Sequence, residues 1–241
     1  MAVHAVLWDI DDTLFDYTGS DRAGALRHIE EEGLLAAYGG EEAALERWRA
    51  AMEAEFARFL AGEVGFLDHR RARARRFLGT ELPDDEADAW FARYIAHYEA
   101  AWRLFPDAGP ALDALAPLVR QAVLSNSSTA NQERKLTRLG IRPHFEAVLC
   151  ADALGHAKPA PEAFHAACAA LGLPPAEVVY VGDKLDIDAL GARDAGLHAV
   201  WLDRTGAEDD LPAGVRRVAS LADLPRMLQV LMRFGAPSPI R

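Results

Sequence analysis

Cysteine is scarce: Cys150 and Cys168 are the only thiols in 241 residues. Two are too few for a disulfide scaffold or a four-thiolate zinc site. Both lie in apolar stretches and read as buried thiols of a reducing compartment, the cytoplasm. Lysine is nearly as rare, with only Lys135, Lys158 and Lys184 among 26 basic residues. In a chain that uses arginine for its surface, each lysine carries information. Long apolar runs are missing. The opening stretch, residues 3–8, is cut off by Asp9, Asp11 and Asp12 and has no basic residue ahead of it, so it reads as neither a secretory leader nor a membrane span. Basic charge is also in deficit, 26 against 37 acidic residues for a net charge of −11. That balance speaks against a nucleic-acid polymer as partner. An anionic small molecule would have to be met by cations placed locally.

Short β-forming runs recur at residues 3–8, 121–125, 147–150, 177–181 and 198–202, and each ends in polar residues. Helical spacings fill the intervals: Leu112, Leu115 and Val119; Leu136 and Leu139; Phe164, Cys168 and Leu171. Apolar strands alternating with helices predict an α/β fold, a Rossmann-like parallel sheet covered by helices on both faces. Residues 17–103 contain no convincing strand. There Leu45, Trp48, Met52, Phe56 and Phe59, and again Phe91, Tyr94, Ile95, Tyr98 and Trp102, keep helical spacing. An all-helical domain with its own core is expected at 17–103. It interrupts an α/β core of 1–16 and 104–234, with a tail at 235–241.

Polar clusters follow four of the five runs. Asp9 and Asp11 are two apart, which in extended chain directs them to one side. Crowded carboxylates need a cation, a shared proton or both. The pair suits a metal-assisted nucleophile with an acid/base beside it, or else a solvated acidic loop. Ser125-Asn126-Ser127-Ser128-Thr129 comes next, with Thr129 and Gln132 spaced as a helix capping box. Its hydroxyls and free amides suit a phosphate, or simply a capped loop. Lys158 precedes Pro159 and is placed either to neutralise a phosphate and a carboxylate together or to sit exposed. Gly182-Asp183 opens a segment in which Asp186 and Asp188 follow. Asp183 would stand beside Asp9, and hard oxygen ligands there suit magnesium; capping of the next helix is the plainer use. Parallel strands bring all four clusters to one rim, where together they supply what phosphoryl transfer through an aspartyl-phosphate requires.

With these motifs in order, the sequence resembles the haloacid dehalogenase superfamily, in its phosphatase form with a helical cap inserted after the first motif. The match covers about residues 1–220. The resemblance implies that Asp9 attacks phosphorus and that Asp11 serves as acid and then base. Ser125, the Asn126 backbone and Lys158 would hold the phosphoryl oxygens. Magnesium would rest on Asp9, the Asp11 carbonyl and Asp183, with Asp188, rather than Asp186, as the secondary acid. It also implies a small phosphate ester as substrate, in the range covered by pyrimidine nucleotidases, phosphoglycolate phosphatases and acylneuraminate-phosphate phosphatases. A 2-haloacid dehalogenase, a sugar-phosphate mutase and a non-catalytic regulatory module on the same fold are the rivals. Dehalogenases of this superfamily lack an acid at the position of Asp11. A monomer or homodimer is expected.

In the helical domain, residues 69–76 hold five arginines, inside a segment (17–100) with 17 acidic residues against 11 arginines. These arginines either meet an anionic substrate or pair with neighbouring acids. The second reading is preferred. Phe15 and Tyr17, where the two domains join, are expected to line the substrate pocket, or else simply to pack the hinge.

Overall fold

The computed structural model describes residues 3–206 and 211–234; the tail set apart at 235–241 lies outside them. The chain divides into two compact units, Met1–Asp16 with Arg103–Arg241, and Tyr17–Trp102.

The first unit begins with β1 (Ala5–Trp8). The second is built from α1 (Tyr17–Glu31), α2 (Glu41–Leu60), α3 (Phe66–Leu78) and α4 (Asp84–Ala100). Gly24 lets α1 and α4 approach closely, since a Cβ there would fall 2.5 Å from the Tyr98 backbone. Trp48, Phe77, Trp90 and Tyr94 form an aromatic core. The expected stripe on α2 holds at Leu45 and Trp48 but not at Phe56, which is exposed. In place of Phe56, it is Glu55 that is buried, ion-paired with Arg58 and Arg76. A single carboxylate ties the four helices together. Asp21 on α1 accepts from Trp48 Nε1 (3.2 Å), Arg73 Nη2 (3.2 Å) and the Tyr94 hydroxyl.

The first unit resumes with α5 (Ala108–Leu115), β2 (Arg120–Ser125), α6 (Thr129–Arg138), β3 (Ala147–Cys150), α7 (Ala151–Leu154), α8 (Pro161–Leu171), β4 (Val178–Gly182), α9 (Gly191–Asp194), β5 (His198–Leu202), β6 (Val215–Val218) and α10 (Leu224–Phe234). The strands form one parallel sheet in the order β3-β2-β1-β4-β5-β6. β6 was not expected, because Val-Arg-Arg-Val lacks the apolar run that marked the others. β1 and β4 are buried throughout, as central strands covered on both faces must be. Their side chains pack with Phe164, Cys168 and Leu171 of α8, the helical stripe read from the sequence. With β1 central and the strand order reversing around it, a binding crevice is expected beyond the carboxyl ends of β1, β2 and β4.

Candidate active site

β1 ends at Trp8, and the Asp9 amide continues the ladder by donating to Val181 O of β4 at 2.9 Å. The chain then turns sharply. The Ile10 carbonyl accepts from the amides of Leu14 and Phe15 at 3.0 and 2.9 Å, and Asp12 takes a left-handed conformation at φ 64°. This loop places two carboxylates at one strand end with different surroundings.

Asp9 is buried against Lys158, whose Nζ lies 2.7 Å from Asp9 Oδ1, 2.7 Å from Asp188 Oδ1 and 2.6 Å from the Tyr180 hydroxyl. The three donors of the ammonium are thereby matched to three acceptors. Burial works against the lysine's charge, but Asp188 and Asp9 hold its pKa above the ordinary range. Burial pushes Asp9 up to about 6, with Lys158 opposing the shift and Asp188 and Asp11 adding to it.

Asp9, Asp183 and Asp188 bring carboxylate oxygens within 4.8 Å of one another. Burial, then Asp9 and Asp188, raise Asp183 to about 8. Its side chain receives a long 3.4 Å hydrogen bond from Thr13 Oγ1. Such a donor set of crowded hard oxygens fits a divalent cation. Asp188 is buried and anchored, accepting from Lys158, Tyr180 and the Lys184 amide, whereas Asp186 is exposed. Asp188 is reached through a π-helical turn, Leu185–Leu190, of the kind often found at functional sites. Gly182 is needed for packing rather than for turning, because a Cβ there would meet the Asp188 carboxyl at 2.5 Å.

Ser125 ends β2, and its Oγ accepts from the Ser127 amide (3.2 Å) and Gln132 Nε2 (2.9 Å). The Asn126 side chain clamps the next loop, donating to Lys158 O and accepting from Lys158 N, both at 2.8 Å. The expected capping box does not form. The Thr129 amide and hydroxyl are satisfied by Asp152 of α7, and Gln132 turns inward.

Asp11 faces α6. Its Oδ2 accepts from Gln132 Nε2 at 2.8 Å, and its Oδ1 is hydrogen-bonded by Lys135 Nζ. Lys135 and Gln132 are fully buried. Phe15 is fully buried as well, with the Lys135 ammonium 4.4 Å from its ring centre, so its ring supports that lysine and lines no open pocket. Tyr17 belongs to the helical unit, its ring set edge-on to Tyr98 at 6.0 Å.

Sequence reasoning missed Gln132, Lys135 and Tyr180. Lysine scarcity was the available signal for Lys135. Tyr180 sits inside an apolar strand run, where its hydroxyl gave no pattern to read.

A family profile of haloacid dehalogenase-like hydrolases matches residues 3–196. The chain belongs to this family. It is similar to human N-acylneuraminate-9-phosphatase, at 28% identity over 94% of each chain. It is also similar to the glyceraldehyde 3-phosphate phosphatase of Methanopyrus kandleri, at 30% identity over 96% of this chain and 97% of the relative. Among solved structures, the L-2-haloacid dehalogenase of Xanthobacter autotrophicus superposes with a TM-score of 0.71 at 25% identity, covering 94% of this chain and 98% of the other. The family member described here is a hydrolase of the phosphatase type, acting on phosphoric monoesters. Among the described residues, no helix is long and apolar enough to cross a membrane.

Proposed function

We propose that the protein is a magnesium-dependent phosphatase of small phosphomonoesters, working through an aspartyl-phosphate on Asp9. The observation that carries this reading is the division of labour at the end of β1. Asp9 lies on Lys158 within the acidic group, while Asp11 is held apart by Lys135 of α6. In the first half-reaction an Asp9 oxygen bonds to phosphorus as the ester P–O bond breaks, and Asp11 gives its proton to the leaving alkoxide. In the second, water bonds to phosphorus, Asp11 takes the water proton, and the Asp9–phosphorus bond breaks to release inorganic phosphate.

Ser125, the Asn126 backbone and Lys158 receive the phosphoryl oxygens. Asp9, the Asp11 carbonyl and Asp183 would hold magnesium, with Asp188 completing the acidic group and fixing Lys158. When bound, the cation supplies charge neutralisation between carboxylate and phosphoryl oxygens. Hydrolysis of phosphate monoesters is among the slowest uncatalysed reactions, with enzymatic accelerations reaching about 10²¹-fold, so positioning and charge must provide most of the effect.

The substrate class we favour is a sugar phosphate, nucleotide or phosphoglycolate. The names of the two phosphatase relatives, which carry sugar-type substrates, support the first. Dehalogenation remains the second reading, since a solved dehalogenase shares the fold. It needs a nucleophile but no leaving-group acid, and the two donors committed to Asp11 favour the phosphatase. Cys150 and Cys168 are buried free thiols, the state a reducing compartment such as the cytoplasm maintains.

The deciding experiment is a screen for phosphate release over these ester classes, with and without magnesium, alongside halide release from 2-chloropropionate. Magnesium-dependent phosphate release that Asp9→Asn abolishes is expected. Halide release without phosphate release would overturn the assignment.

A further inference from the structure

Two of the chain's three lysines are buried in the site, and the reaction just described uses only one of them. Lys135 and Gln132 stand three residues apart on α6, on the same helix face. Both are withdrawn from solvent, at 1% and 0% exposure. A buried lysine demands a counter-charge, and Lys135 finds it in one carboxylate, that of Asp11. Gln132 is oriented at a cost. Its amide nitrogen bonds Asp11 Oδ2 and Ser125 Oγ, while its Oε1 is buried without a hydrogen-bond partner among the described residues. An unpaired buried carbonyl oxygen is unfavourable. The orientation persists because the reverse one would set that oxygen against the Asp11 carboxylate, which can only accept.

Each carboxylate oxygen has about two acceptor positions. Lys135 takes one on Oδ1 and Gln132 one on Oδ2, which leaves acceptor capacity on both oxygens for a water. Both donors recognise Asp11 as an acceptor, its state when the aspartyl-phosphate waits for hydrolysis.

We propose that Lys135 and Gln132 are positioning residues for Asp11, and that the step they serve most is hydrolysis of the aspartyl-phosphate. In that step water oxygen bonds to phosphorus, one water proton passes to Asp11, and the bond from phosphorus to the Asp9 oxygen breaks with its electron pair returning to Asp9. A base fixed by two donors meets the water in one orientation; a base freed from them samples several. The inference rests on the acid/base reading of Asp11 given above.

The test uses rapid-quench single turnovers of the magnesium-loaded enzyme with radiolabelled nitrophenyl phosphate, a substrate whose leaving group needs little protonation. Formation and decay of the phosphoenzyme are followed separately. Lys135→Met and Gln132→Met keep the buried volume. In both, decay of the phosphoenzyme is expected to slow at least about tenfold while its formation changes by less than about threefold. Should Lys135→Met fail to fold, as judged by its thermal midpoint, Gln132→Met carries the test alone. Adding methylammonium to Lys135→Ala is expected to restore part of the decay rate. Equal slowing of formation and decay, or unchanged decay, overturns the proposal. Asp11→Asn separates the two levels. Full turnover in that variant defeats the acid/base reading itself. Slow decay in Asp11→Asn with normal decay in the methionine variants defeats only the positioning role.

Discussion

The carboxyl of Asp188 occupies the space in which Gly182 lacks a side chain: a Cβ on Gly182 would lie 2.5 Å from both Cγ and Oδ2 of Asp188. Asp188 in turn bonds Lys158 and Tyr180. One missing methyl group therefore sets the position of the lysine that faces Asp9. Gly182→Ala should push Asp188 away and carry Lys158 with it. Overpacking at such a site costs about 1–3 kcal/mol. Turnover should fall by more than the loss of folded protein accounts for, when measured at a temperature where the variant is fully folded. Wild-type turnover in the folded variant would show that Asp188 does not set Lys158.

The parts of this site that were legible in the sequence are those whose chemistry restricts residue type. Asp9, Asp11, Ser125, Lys158 and Asp183 each follow an apolar run, and parallel strand order does the rest. The illegible parts act through side-chain direction. Gln132 and Lys135 sit beside Leu136 in a helix whose sequence advertises only its apolar positions. Gln132 instead fits a capping box with Thr129, which Asp152 of α7 makes unnecessary by bonding Thr129 itself. The need for Gly182 comes from packing rather than from its own backbone. Its φ is not left-handed, and what it avoids is a residue six positions later. The helical unit showed its apolar stripes, but not Asp21, which reads as one more surface acid until three helices deliver donors to it.

Magnesium should stabilise the protein more at high pH than at low. Asp9 at about 6 and Asp183 at about 8 both lie above the ordinary carboxylate value of 3.8, with burial the main cause. A carboxyl raised on folding holds more protons in the folded chain than in the unfolded one. Its contribution to stability therefore falls as pH rises from about 4 to 8. A bound cation relieves that loss. The gain in thermal midpoint on adding magnesium should be small at pH 5 and larger at pH 8. No response to magnesium at pH 8 would remove the cation from the proposed site.

Asp21 is the polar keystone of the helical unit. Arg73 is only 6% exposed and also lies over the Trp48 ring at 4.3 Å. Asp21→Ala leaves that guanidinium buried without its counter-charge, a change that costs about 3–5 kcal/mol in comparable pairs. Urea denaturation should register it. The double variant Asp21→Asn with Arg73→Met removes both charges and should recover a large part of the loss. If the single and double variants were equally unstable, the ion pair would not be the source.

The arginine-rich helix separates binding from architecture. Arg71 reaches Asp84 and Asp88 at 2.9 and 2.6 Å, and Arg75 reaches Leu82 O and Asp84 at 2.8 and 2.6 Å. These contacts fasten α3 to the first turn of α4, where Asp84, Asp85 and Glu86 also complement the helix dipole. Arg70 lies over the rings of Phe66 and Phe91. These partners belong to the helical unit itself, in keeping with the excess of acids over arginines there. Replacing Arg71 and Arg75 with alanine should lower the thermal midpoint modestly, since partly exposed pairs contribute little. It should leave kcat/KM within about twofold for both a sugar phosphate and nitrophenyl phosphate. A tenfold loss confined to the sugar phosphate, about 1.4 kcal/mol, would make these arginines part of substrate recognition. An equal loss of that size on both esters would instead implicate them in the chemistry, which neither their partners nor their place in the sequence provides for.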